Sequence, residues 1–348
     1  MRAVVLVGGL GTRLRPLTAS TPKQMLPVAG RPMIERVLDT LRHHGVDDVV
    51  LSIGFQPSAF LEAYPDGTCA GVAVHYAEEP EPLDTAGAIR FAAESGGIRE
   101  RFLVVNGDVI TDLDVTALVA FHERVGAEGT IALTKVEDPS AFGVVPTDEG
   151  GRVVAFVEKP PRHEAPTDLI NAGYYVLEPS VLDRIPGDRR VNVERETFPA
   201  MVTDGGLYAL ADPSYWLDVG TIERYLQANL DVLDGVRPVT RAAPGQAVVD
   251  GEALAPVLLG DGVEVRAGAV VGRSVLGAGV VVEDGARVED SVLLPGARVG
   301  RDAVVRGSVL GPGSVVGAGA TVEDLSVLGD GTQVEAGARL VGEKRPDA

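Results

Sequence analysis

The sequence predicts two folds in one chain, an α/β domain with a largely parallel sheet and then a parallel β-helix. Three observations support this prediction. Uncharged β-branched runs alternate with helical patterns up to about residue 230, glycine and proline cluster near residues 235–256, and aliphatic residues then return every six positions. The 348 residues are enough for two such domains.

The first predicted element is a buried strand at residues 3–7 that runs into a glycine-rich loop. Residues 8–18 read Gly-Gly-Leu-Gly-Thr-Arg-Leu-Arg-Pro-Leu-Thr, and Pro-Lys-Gln-Met-Leu-Pro-Val follows. Glycines allow backbone N–H groups to approach an anion closely. The loop has neither the third glycine of a dinucleotide site nor the Gly-Lys-Ser/Thr of a Walker A loop. With Arg13 and Lys23 it indicates a nucleoside triphosphate held by main-chain donors and two cations.

Further strands and helices alternate after this loop. The patterns predict helices from Pro32 to Gly45 and at residues 85–94 and 114–124, and strands at residues 49–53 and 102–105. Ligands of an open parallel sheet bind beyond the carboxyl ends of its strands. The glycine loop and Asn106-Gly107-Asp108 both follow such ends, so we expect the ligand there.

An internal repeat defines the C-terminal part of the chain. Ser-Val-Leu begins at residues 274, 291, 308 and 326, so the spacings are 17, 17 and 18. Aliphatic residues recur at six-residue steps at Leu259, Val265, Val271, Leu276, Val282, Val288, Leu293, Val299, Val305, Leu310, Val316, Val322, Leu328, Val334 and Leu340. This period is typical of a parallel β-helix whose inward side chains stack from coil to coil. We expect about five coils, with one shortened side.

Charge and cysteine content exclude several classes of protein. The formal net charge of −19 argues against nucleic acid or an anionic membrane as a partner. The single cysteine excludes a disulfide framework and a cysteine metal cluster. No apolar run approaches the roughly 20 residues that span a bilayer. We therefore expect a cytoplasmic protein.

Two carboxylates suggest a metal site. Asp108 follows a predicted strand, and Asp218 lies in Trp-Leu-Asp-Val-Gly-Thr before a predicted helix. Paired carboxylates with a triphosphate are a common way to hold Mg²⁺, which prefers hard oxygen ligands. Each aspartate taken alone could instead cap a helix or be a solvated acid.

The glycine loop and the Lys-x-Met-Leu-Pro-Val that follows resemble the N-terminal signature of the sugar-1-phosphate nucleotidyltransferases. Gln24 stands where this family usually has proline. The resemblance implies a Rossmann-like, mostly parallel nucleotidyltransferase domain followed by a left-handed β-helix of hexapeptide repeats. We expect these at residues 1–235 and 257–342, with a linker at 236–256 and a tail at 343–348.

The resemblance also implies roles for individual residues. Arg13 would hold the leaving phosphates, Lys23 and Lys159 the reacting phosphates, and Asp108 and Asp218 the Mg²⁺. The implied nucleotide contacts are Gly8, Gly9, Gly11, Thr12, Glu79, Asp84, Thr85 and Gly107. The implied sugar contacts are Gly143, Glu158, Asn171 and Glu194.

Asp84 departs from the family pattern, because relatives usually have glycine at this position of the base-reading loop. A carboxylate there could accept hydrogen bonds from N1 and N2 of guanine. It could equally cap the helix that begins at Thr85. Both interpretations stay open from the sequence.

Across nearly the whole chain outside the linker, the similarity is greatest to family members that join GTP to mannose 1-phosphate. Glucose-1-phosphate thymidylyl or uridylyl transfer, an unusual sugar or cyclitol phosphate, and a non-catalytic regulatory partner are the alternatives. The β-helix has no histidine for acyl transfer, since every histidine precedes residue 164. We expect it to assemble a homo-oligomer.

Overall fold

The computed structural model describes residues 1–54, 56–237 and 243–346. It divides into two compact units. The sheet unit comprises Met1–Gly9 and Ile34–Trp216, and the β-helix unit comprises Leu10–Met33 and Leu217–Ala348. Most of the glycine-rich loop therefore belongs to the same compact unit as the C-terminal residues. The domain boundaries expected from the sequence stay predictions.

The sheet unit contains one mostly parallel sheet, which confirms the expected α/β fold. Arg2–Leu6 pairs in parallel with Phe102–Asn106 on one side and with Asp48–Ile53 on the other. Ten strands of the described chain form the sheet. Eight of them lie side by side in the order Val157–Glu158, Gly143–Val144, Leu169–Leu177, Phe102–Asn106, Arg2–Leu6, Asp48–Ile53, Val72–Glu78 and Thr68–Cys69. The other two are Gly129–Lys135, which pairs with Leu169–Leu177, and Leu207–Ala211, which pairs with Gly129–Lys135.

The central strand is apolar because it is covered on both faces. Ala3, Val4 and Val5 have no exposed surface, as expected for a strand inside a parallel sheet. The antiparallel strand Leu169–Leu177 carries an irregularity between Asn171 and Tyr175. That irregularity lies among the expected sugar contacts.

Three α-helices lie close to their predicted positions, namely Met33–His43, Asp84–Ser95 and Val115–Val125. The α-helices Pro57–Ala63 and Phe198–Asp204 were not predicted. Asp114 caps one of them, since its side chain accepts a hydrogen bond from the Ala117 N–H. Pro32 precedes the first helix in the short strand Arg31–Pro32. No helix of the described residues is long and apolar enough to cross a membrane.

The C-terminal strands form the expected left-handed parallel β-helix. Three parallel sheets of six strands each are present in the described residues, so there are six coils where we expected about five. The sheets comprise Val248–Val249, Glu264–Val265, Val281–Val282, Arg298–Val299, Val315–Val316 and Gln333–Val334; Glu252–Leu254, Val270–Gly272, Arg287–Glu289, Val304–Arg306, Thr321–Glu323 and Arg339–Val341; and Leu258–Leu259, Val275–Leu276, Val292–Leu293, Val309–Leu310, Val327–Leu328 and Lys344–Arg345.

The additional coil begins in the segment expected to be a linker. Val248, Val249 and Leu254 are exposed, so the first two strands of this coil lack the buried aliphatic repeat that identified the other strands. Lys344–Arg345, in the expected tail, also forms a strand. Residues 238–242 of the expected linker and 347–348 of the tail lie outside the described residues.

The predicted aliphatic column is confirmed in the β-helix core. Leu276 stacks on Leu293 and Val282 on Val299, and none of the four is more than 1% exposed. Burying each such side chain contributes about 1.5–3 kcal/mol. The 18-residue spacing has a local cause, because Asp324 and Leu325 both take positive φ at a corner.

A serine ladder runs beside this column. Ser274 and Ser291 are fully buried, and each hydroxyl donates to a carbonyl two residues earlier, of Gly272 and of Glu289. The N–H of Ser291 donates to Ser274 Oγ at 3.1 Å, and the N–H of Ser308 donates to Ser291 Oγ at 3.2 Å. Ser274 and Ser291 therefore each satisfy buried backbone groups of two successive coils.

Residues 10–33 are anchored within the β-helix unit by the helix Ile222–Asp234. The hydroxyl of Tyr225 donates to the Pro27 carbonyl at 2.6 Å, and the Ala29 N–H donates to Asn229 Oδ1 at 2.7 Å. Asn229 has no exposed surface. These buried bonds hold the segment that follows Lys23.

Candidate active site

The glycines of the sheet unit lie where backbone and side chains approach closely. A Cβ at Gly8 would lie 3.7 Å from Glu79 Oε1, and one at Gly107 would lie 2.9 Å from the Leu6 carbonyl oxygen. Gly9 has a φ of 95°, which favours glycine. The end of the first strand thus meets both Glu79 and the Gly107 turn.

Glu79 organises the expected base-reading loop. Its Oε1 accepts a hydrogen bond from Ser52 Oγ, and its Oε2 accepts one from the Leu83 N–H, each at 3.1 Å. The carboxylate therefore connects a central strand to the loop before the helix Asp84–Ser95.

Asp84 does not occupy the cap position considered from the sequence. The helix begins at Asp84 itself, preceded by Leu83, and no side chain caps it. Asp84 Oδ1 instead accepts hydrogen bonds from the Thr85 N–H at 2.7 Å and from Asn192 Nδ2 at 3.0 Å. Thr85 Oγ1 accepts one from the Val193 N–H at 2.9 Å.

Two of the expected sugar contacts form a hydrogen-bonded cluster. Asn171 Nδ2 donates to Glu194 Oε1 at 2.8 Å and to the Tyr175 hydroxyl at 2.9 Å. Its Oδ1 accepts from the Gly173 N–H at 2.9 Å. These three hydrogen bonds hold the Asn171 side chain in one orientation.

Glu158 and Lys159 lie beside this cluster. Gly143 pairs with Glu158 across antiparallel strands, and a Cβ at Gly143 would lie 3.2 Å from Glu158 Oε2. Glu158 Oε2 is buried without a hydrogen-bond partner in the described chain. Lys159 Nζ lies 2.9 Å from Glu158 Oε1, and its side chain is 56% exposed. The arrangement offers a buried acceptor next to an exposed positive charge.

The pKa shifts of Glu194 and Tyr175 show that both side chains are affected by the same charged neighbours. Burial, and then the charge of Glu158, raises the pKa of Glu194. Burial, followed by the charge of Glu194, raises the pKa of the Tyr175 hydroxyl, with smaller contributions from Glu158 and Asp108. Asp108 therefore belongs to the same electrostatic environment as the expected sugar contacts. Such a group of acceptors suits a ligand that donates several hydrogen bonds.

The β-helix unit holds the remainder of the glycine loop. Gly11 has a φ of 58°, and a Cβ there would lie 3.1 Å from Thr18 Cγ2 and 3.4 Å from Lys23 Cβ. The Thr18 hydroxyl donates to the Gly11 carbonyl at 2.7 Å. Thr12 follows in an exposed single turn. The loop therefore brings Gly11 and the stem of Lys23 into contact.

Arg13 and Asp218 meet at Gly220 in the same unit. A Cβ at Gly220 would lie 2.6 Å from Arg13 Nη2 and 3.0 Å from Asp218 Oδ1. Any Cβ at this position would force the end of the exposed Arg13 side chain to move. A guanidinium can donate to phosphate oxygens, and a carboxylate can coordinate a cation that binds them.

Gln24, the departure from the family's proline, is 1% exposed. Neither atom of its amide has a hydrogen-bond partner in the part of the chain that the structure describes. A buried amide without partners is destabilising. The substitution therefore places an unsatisfied polar group directly after Lys23.

Sequence reasoning missed three side chains around the cluster. Tyr175 bonds to Asn171, Asn192 bonds to Asp84, and the Trp216 indole N–H donates to the Ala172 carbonyl at 2.9 Å. Trp216 lies in the Trp-Leu-Asp-Val-Gly-Thr motif, whereas Tyr175 and Asn192 lie within four residues of the expected sugar contacts Asn171 and Glu194. A single aromatic or amide side chain produces no periodic pattern in the sequence. Its part in the site is therefore recognised only from its hydrogen bonds in the structure.

No group of three or more His, Cys, Asp or Glu side chains suited to a metal occurs among the described residues. The expected metal site has two aspartates in the protein, and the phosphates would supply other oxygens. Asp218 fits this role, because the space beside its Oδ1 is one that a Cβ at position 220 would fill.

Comparison with known proteins identifies the family. Residues 2–235 match the model of the nucleotidyl transferases, and residues 253–344 match that of the GMPPB C-terminal domain. Mannose-1-phosphate guanylyltransferase of Mycobacterium tuberculosis is 45% identical over 277 residues, which are 78% of this chain and 76% of that protein. Mannose-1-phosphate guanylyltransferase 1 of Arabidopsis thaliana is 39% identical over 279 residues, 79% of this chain and 76% of that protein.

Solved structures agree with this result. The crystal structure of HddC from Yersinia pseudotuberculosis matches with a TM-score of 0.58 and 28% identity, covering 66% of this chain and 99% of that one. The same protein complexed with GMP-PN matches equally well. The chain belongs to the nucleotidyl transferase family and is a sugar-1-phosphate nucleotidyltransferase.

Proposed function

We propose that the enzyme joins GTP and mannose 1-phosphate to give GDP-mannose and pyrophosphate. The observation that carries this proposal is the 45% identity to a mannose-1-phosphate guanylyltransferase over 78% of the chain. The cluster of Asn171, Glu194 and Glu158 supports it, because its acceptors suit the hydroxyl groups of a hexose.

The reaction needs positioning and charge neutralisation more than proton transfer. A phosphate oxygen of the sugar phosphate forms a bond to the α-phosphorus, and the bond to the bridging oxygen of the leaving pyrophosphate breaks. The attacking oxygen is already anionic near neutral pH, so no general base is required. Catalysis then rests on alignment and on cations near the phosphates.

The chain's own residues divide these tasks in the proposal. Lys159 extends from beside Glu158 to the sugar phosphate, and its exposure leaves the ammonium group able to follow the substrate. Lys23 neutralises the α-phosphate. Arg13 binds the leaving phosphates, since its planar guanidinium can donate two parallel hydrogen bonds. Gly8, Gly9, Gly11, Thr12 and Gly107 let the backbone approach the nucleotide.

The family generally uses a divalent metal, and we propose Mg²⁺ held by Asp108 and Asp218. Asp108 follows the strand Phe102–Asn106, and Asp218 ends the strand Trp216–Asp218. Their carboxylate oxygens are the hard donors that Mg²⁺ prefers. When bound, the ion neutralises charge on the triphosphate.

Base recognition is proposed for the loop around Asp84. Its Oδ1 already accepts two hydrogen bonds within the protein, so Oδ2 is the oxygen offered to guanine. Glu79 shapes the loop from behind through Ser52 and Leu83. We expect Asp84→Gly to lower the preference for GTP over ATP. An unchanged preference would exclude Asp84 as a base-reading residue.

The test is pyrophosphate release with Mg²⁺, crossing GTP, ATP, UTP and dTTP with mannose 1-phosphate and glucose 1-phosphate. We expect a maximum for GTP with mannose 1-phosphate. A maximum for dTTP or UTP with glucose 1-phosphate would contradict the proposed substrates and keep the mechanism. No release from any pair would favour an unusual sugar or cyclitol phosphate, or a regulatory partner without activity.

We further propose a cytoplasmic homo-oligomer assembled through the β-helix. Exposed Val248 and Leu254 on its first coil support an interface there. Light scattering after size exclusion tests the assembly. Replacing Val248 and Leu254 with glutamate should then give monomers.

A further inference from the structure

Asn192 makes contacts that the proposed function does not use. Its Oδ1 accepts hydrogen bonds from the N–H groups of Glu194 at 3.1 Å and Arg195 at 2.9 Å. Its Nδ2 donates to Asp84 Oδ1 at 3.0 Å. A single amide therefore caps the turn that carries Glu194 and also holds the loop that carries Asp84.

Main-chain bonds join the same two segments. The Ala86 N–H donates to the Val191 carbonyl at 2.9 Å, and the Val191 N–H donates to the Leu83 carbonyl at 3.1 Å. The Val193 N–H donates to Thr85 Oγ1 at 2.9 Å. The start of the helix Asp84–Ser95 and residues 191–195 therefore form one hydrogen-bonded body. A shift of the helix start must move the turn with it.

The chain of contacts ends in the sugar cluster. Glu194 Oε1 accepts from Asn171 Nδ2 at 2.8 Å, and the partly buried Glu194 side chain lies near Glu158 and Tyr175. A small displacement of its turn would break this bond, because hydrogen bonds weaken steeply with distance and angle. Direct contacts thus lead from Asp84 through Asn192 to Glu194 and Asn171.

We propose that Asn192 is a positioning residue that couples the nucleotide loop at Asp84 to the sugar contact Glu194. Occupation of the loop by the nucleotide holds the Glu194 turn and increases the affinity for the sugar phosphate. By linkage, the sugar phosphate increases the affinity for the nucleotide by the same factor. This inference rests on the proposed function, which assigns the two substrates to these segments.

The decisive variants are Asn192→Asp and the double variant Asp84→Asn/Asn192→Asp. Asn192→Asp keeps an acceptor for the Glu194 and Arg195 N–H groups but sets a second carboxylate against Asp84. The double variant restores a donor–acceptor pair with the roles exchanged. Asp84→Asn alone is the reference for any effect on base recognition. Asp148→Asn is the matched control, since Asp148 closes a similar turn by accepting from the Gly150 and Arg152 N–H groups.

Hydrogen exchange of a peptide spanning residues 192–197 is measured first, without substrate. We expect faster exchange in Asn192→Asp, and wild-type protection in the double variant and in Asp148→Asn. Wild-type protection in Asn192→Asp would overturn the inference. So would a double variant that exchanges as fast as the single one.

The KM for mannose 1-phosphate is then measured at low and at saturating GTP. We expect Asn192→Asp to raise KM about fivefold or more at saturating GTP with kcat nearly unchanged. The double variant should return KM to that of Asp84→Asn. A loss confined to kcat, or no rescue, would overturn the coupling.

A failure of the proposed function and a failure of the coupling through Asn192 give different experimental results. A wild-type enzyme without activity on this substrate pair refutes the proposed function, and KM is then measured with the pair that is active in the substrate matrix. If no pair is active, the exchange comparison decides the inference by itself, since it requires no substrate.

Discussion

The β-helix and the sheet unit are built from contacts of very different sequence separation. In the β-helix, Ser291 bonds to Ser274, 17 residues away, and the same step stacks Leu293 on Leu276. In the sheet unit, Asn192 bonds to Asp84 across 108 residues, and Asn171 bonds to Glu194 across 23. The β-helix is stabilised by contacts that repeat at the same sequence separation. The candidate site of the sheet unit depends on individual contacts between segments that are far apart in the sequence.

This contrast predicts that substitutions in the two regions have different consequences. A change in the sheet unit's polar cluster should lower activity with little effect on folding. A change in the β-helix column should lower stability with little effect on turnover by folded molecules. The following predictions test this separation, from the largest expected effect to the smallest.

Asp108→Asn should lower kcat by more than about tenfold, because the proposed metal loses a charged ligand. The thermal midpoint should stay near that of the wild type, since Asp108 is partly exposed. Pyrophosphate release over a Mg²⁺ titration measures the effect. Asp148→Asn, at an exposed turn of the same unit, is the control. Near-normal turnover of Asp108→Asn would remove this residue from the metal site.

Leu293→Ala should destabilise the protein by about 2–5 kcal/mol, because it opens a cavity in a closely packed column. Leu293 has no exposed surface, whereas Val341, in the last coils, is 45% exposed. Val341→Ala is therefore the control and should change the free energy of unfolding by much less. Urea unfolding measures both. Equal effects would contradict the role of the column.

Ser291→Ala should cost about 1–3 kcal/mol, because the buried Ser308 N–H loses its acceptor. The hydroxyl's own bond to the Glu289 carbonyl at 2.6 Å is lost as well. Ser274→Ala should have a similar cost, because the buried Ser291 N–H loses Ser274 Oγ as its acceptor. Urea unfolding measures both changes. Wild-type stability in either variant would contradict the role of the ladder.

The smallest predicted effect is a pH dependence of stability in the sheet unit. His122 is buried against Thr130 at 2.8 Å and Glu178 at 3.1 Å, and burial lowers its pKa from the ordinary 6.5. The unfolded chain therefore takes up this proton at higher pH than the folded one. Stability should fall as pH drops below about 6.5. Thermal midpoints across this range should change less in His122→Gln. An equal slope in both proteins would contradict this assignment.

These regions also differ in how far the sequence predicts them. The β-helix was predicted because its core residues recur at a fixed step, and the structure confirms positions from Val265 to Leu340. The first coil was missed because Val248, Val249 and Leu254 are exposed and carry no repeat. Periodicity reveals a coil only where its side chains are buried.

The site was predicted through motifs, and its internal connections were not. The strand-end positions of Gly8, Gly107 and Asp108 follow from buried strands. The bond from Asn192 to Asp84 follows from no local pattern, because it depends on where two loops meet. The roles of the site residues stay predictions, whereas the membership of the nucleotidyl transferase family is shown.

The most direct test of the separation compares Asp108→Asn with Leu293→Ala in one experiment. The kcat per folded molecule with GTP and mannose 1-phosphate is measured together with the thermal midpoint. We predict that Asp108→Asn loses more than about tenfold in kcat at an unchanged midpoint. Leu293→Ala should keep kcat within about twofold at a lowered midpoint. If Leu293→Ala loses turnover as Asp108→Asn does, or Asp108→Asn loses stability as Leu293→Ala does, the separation is wrong.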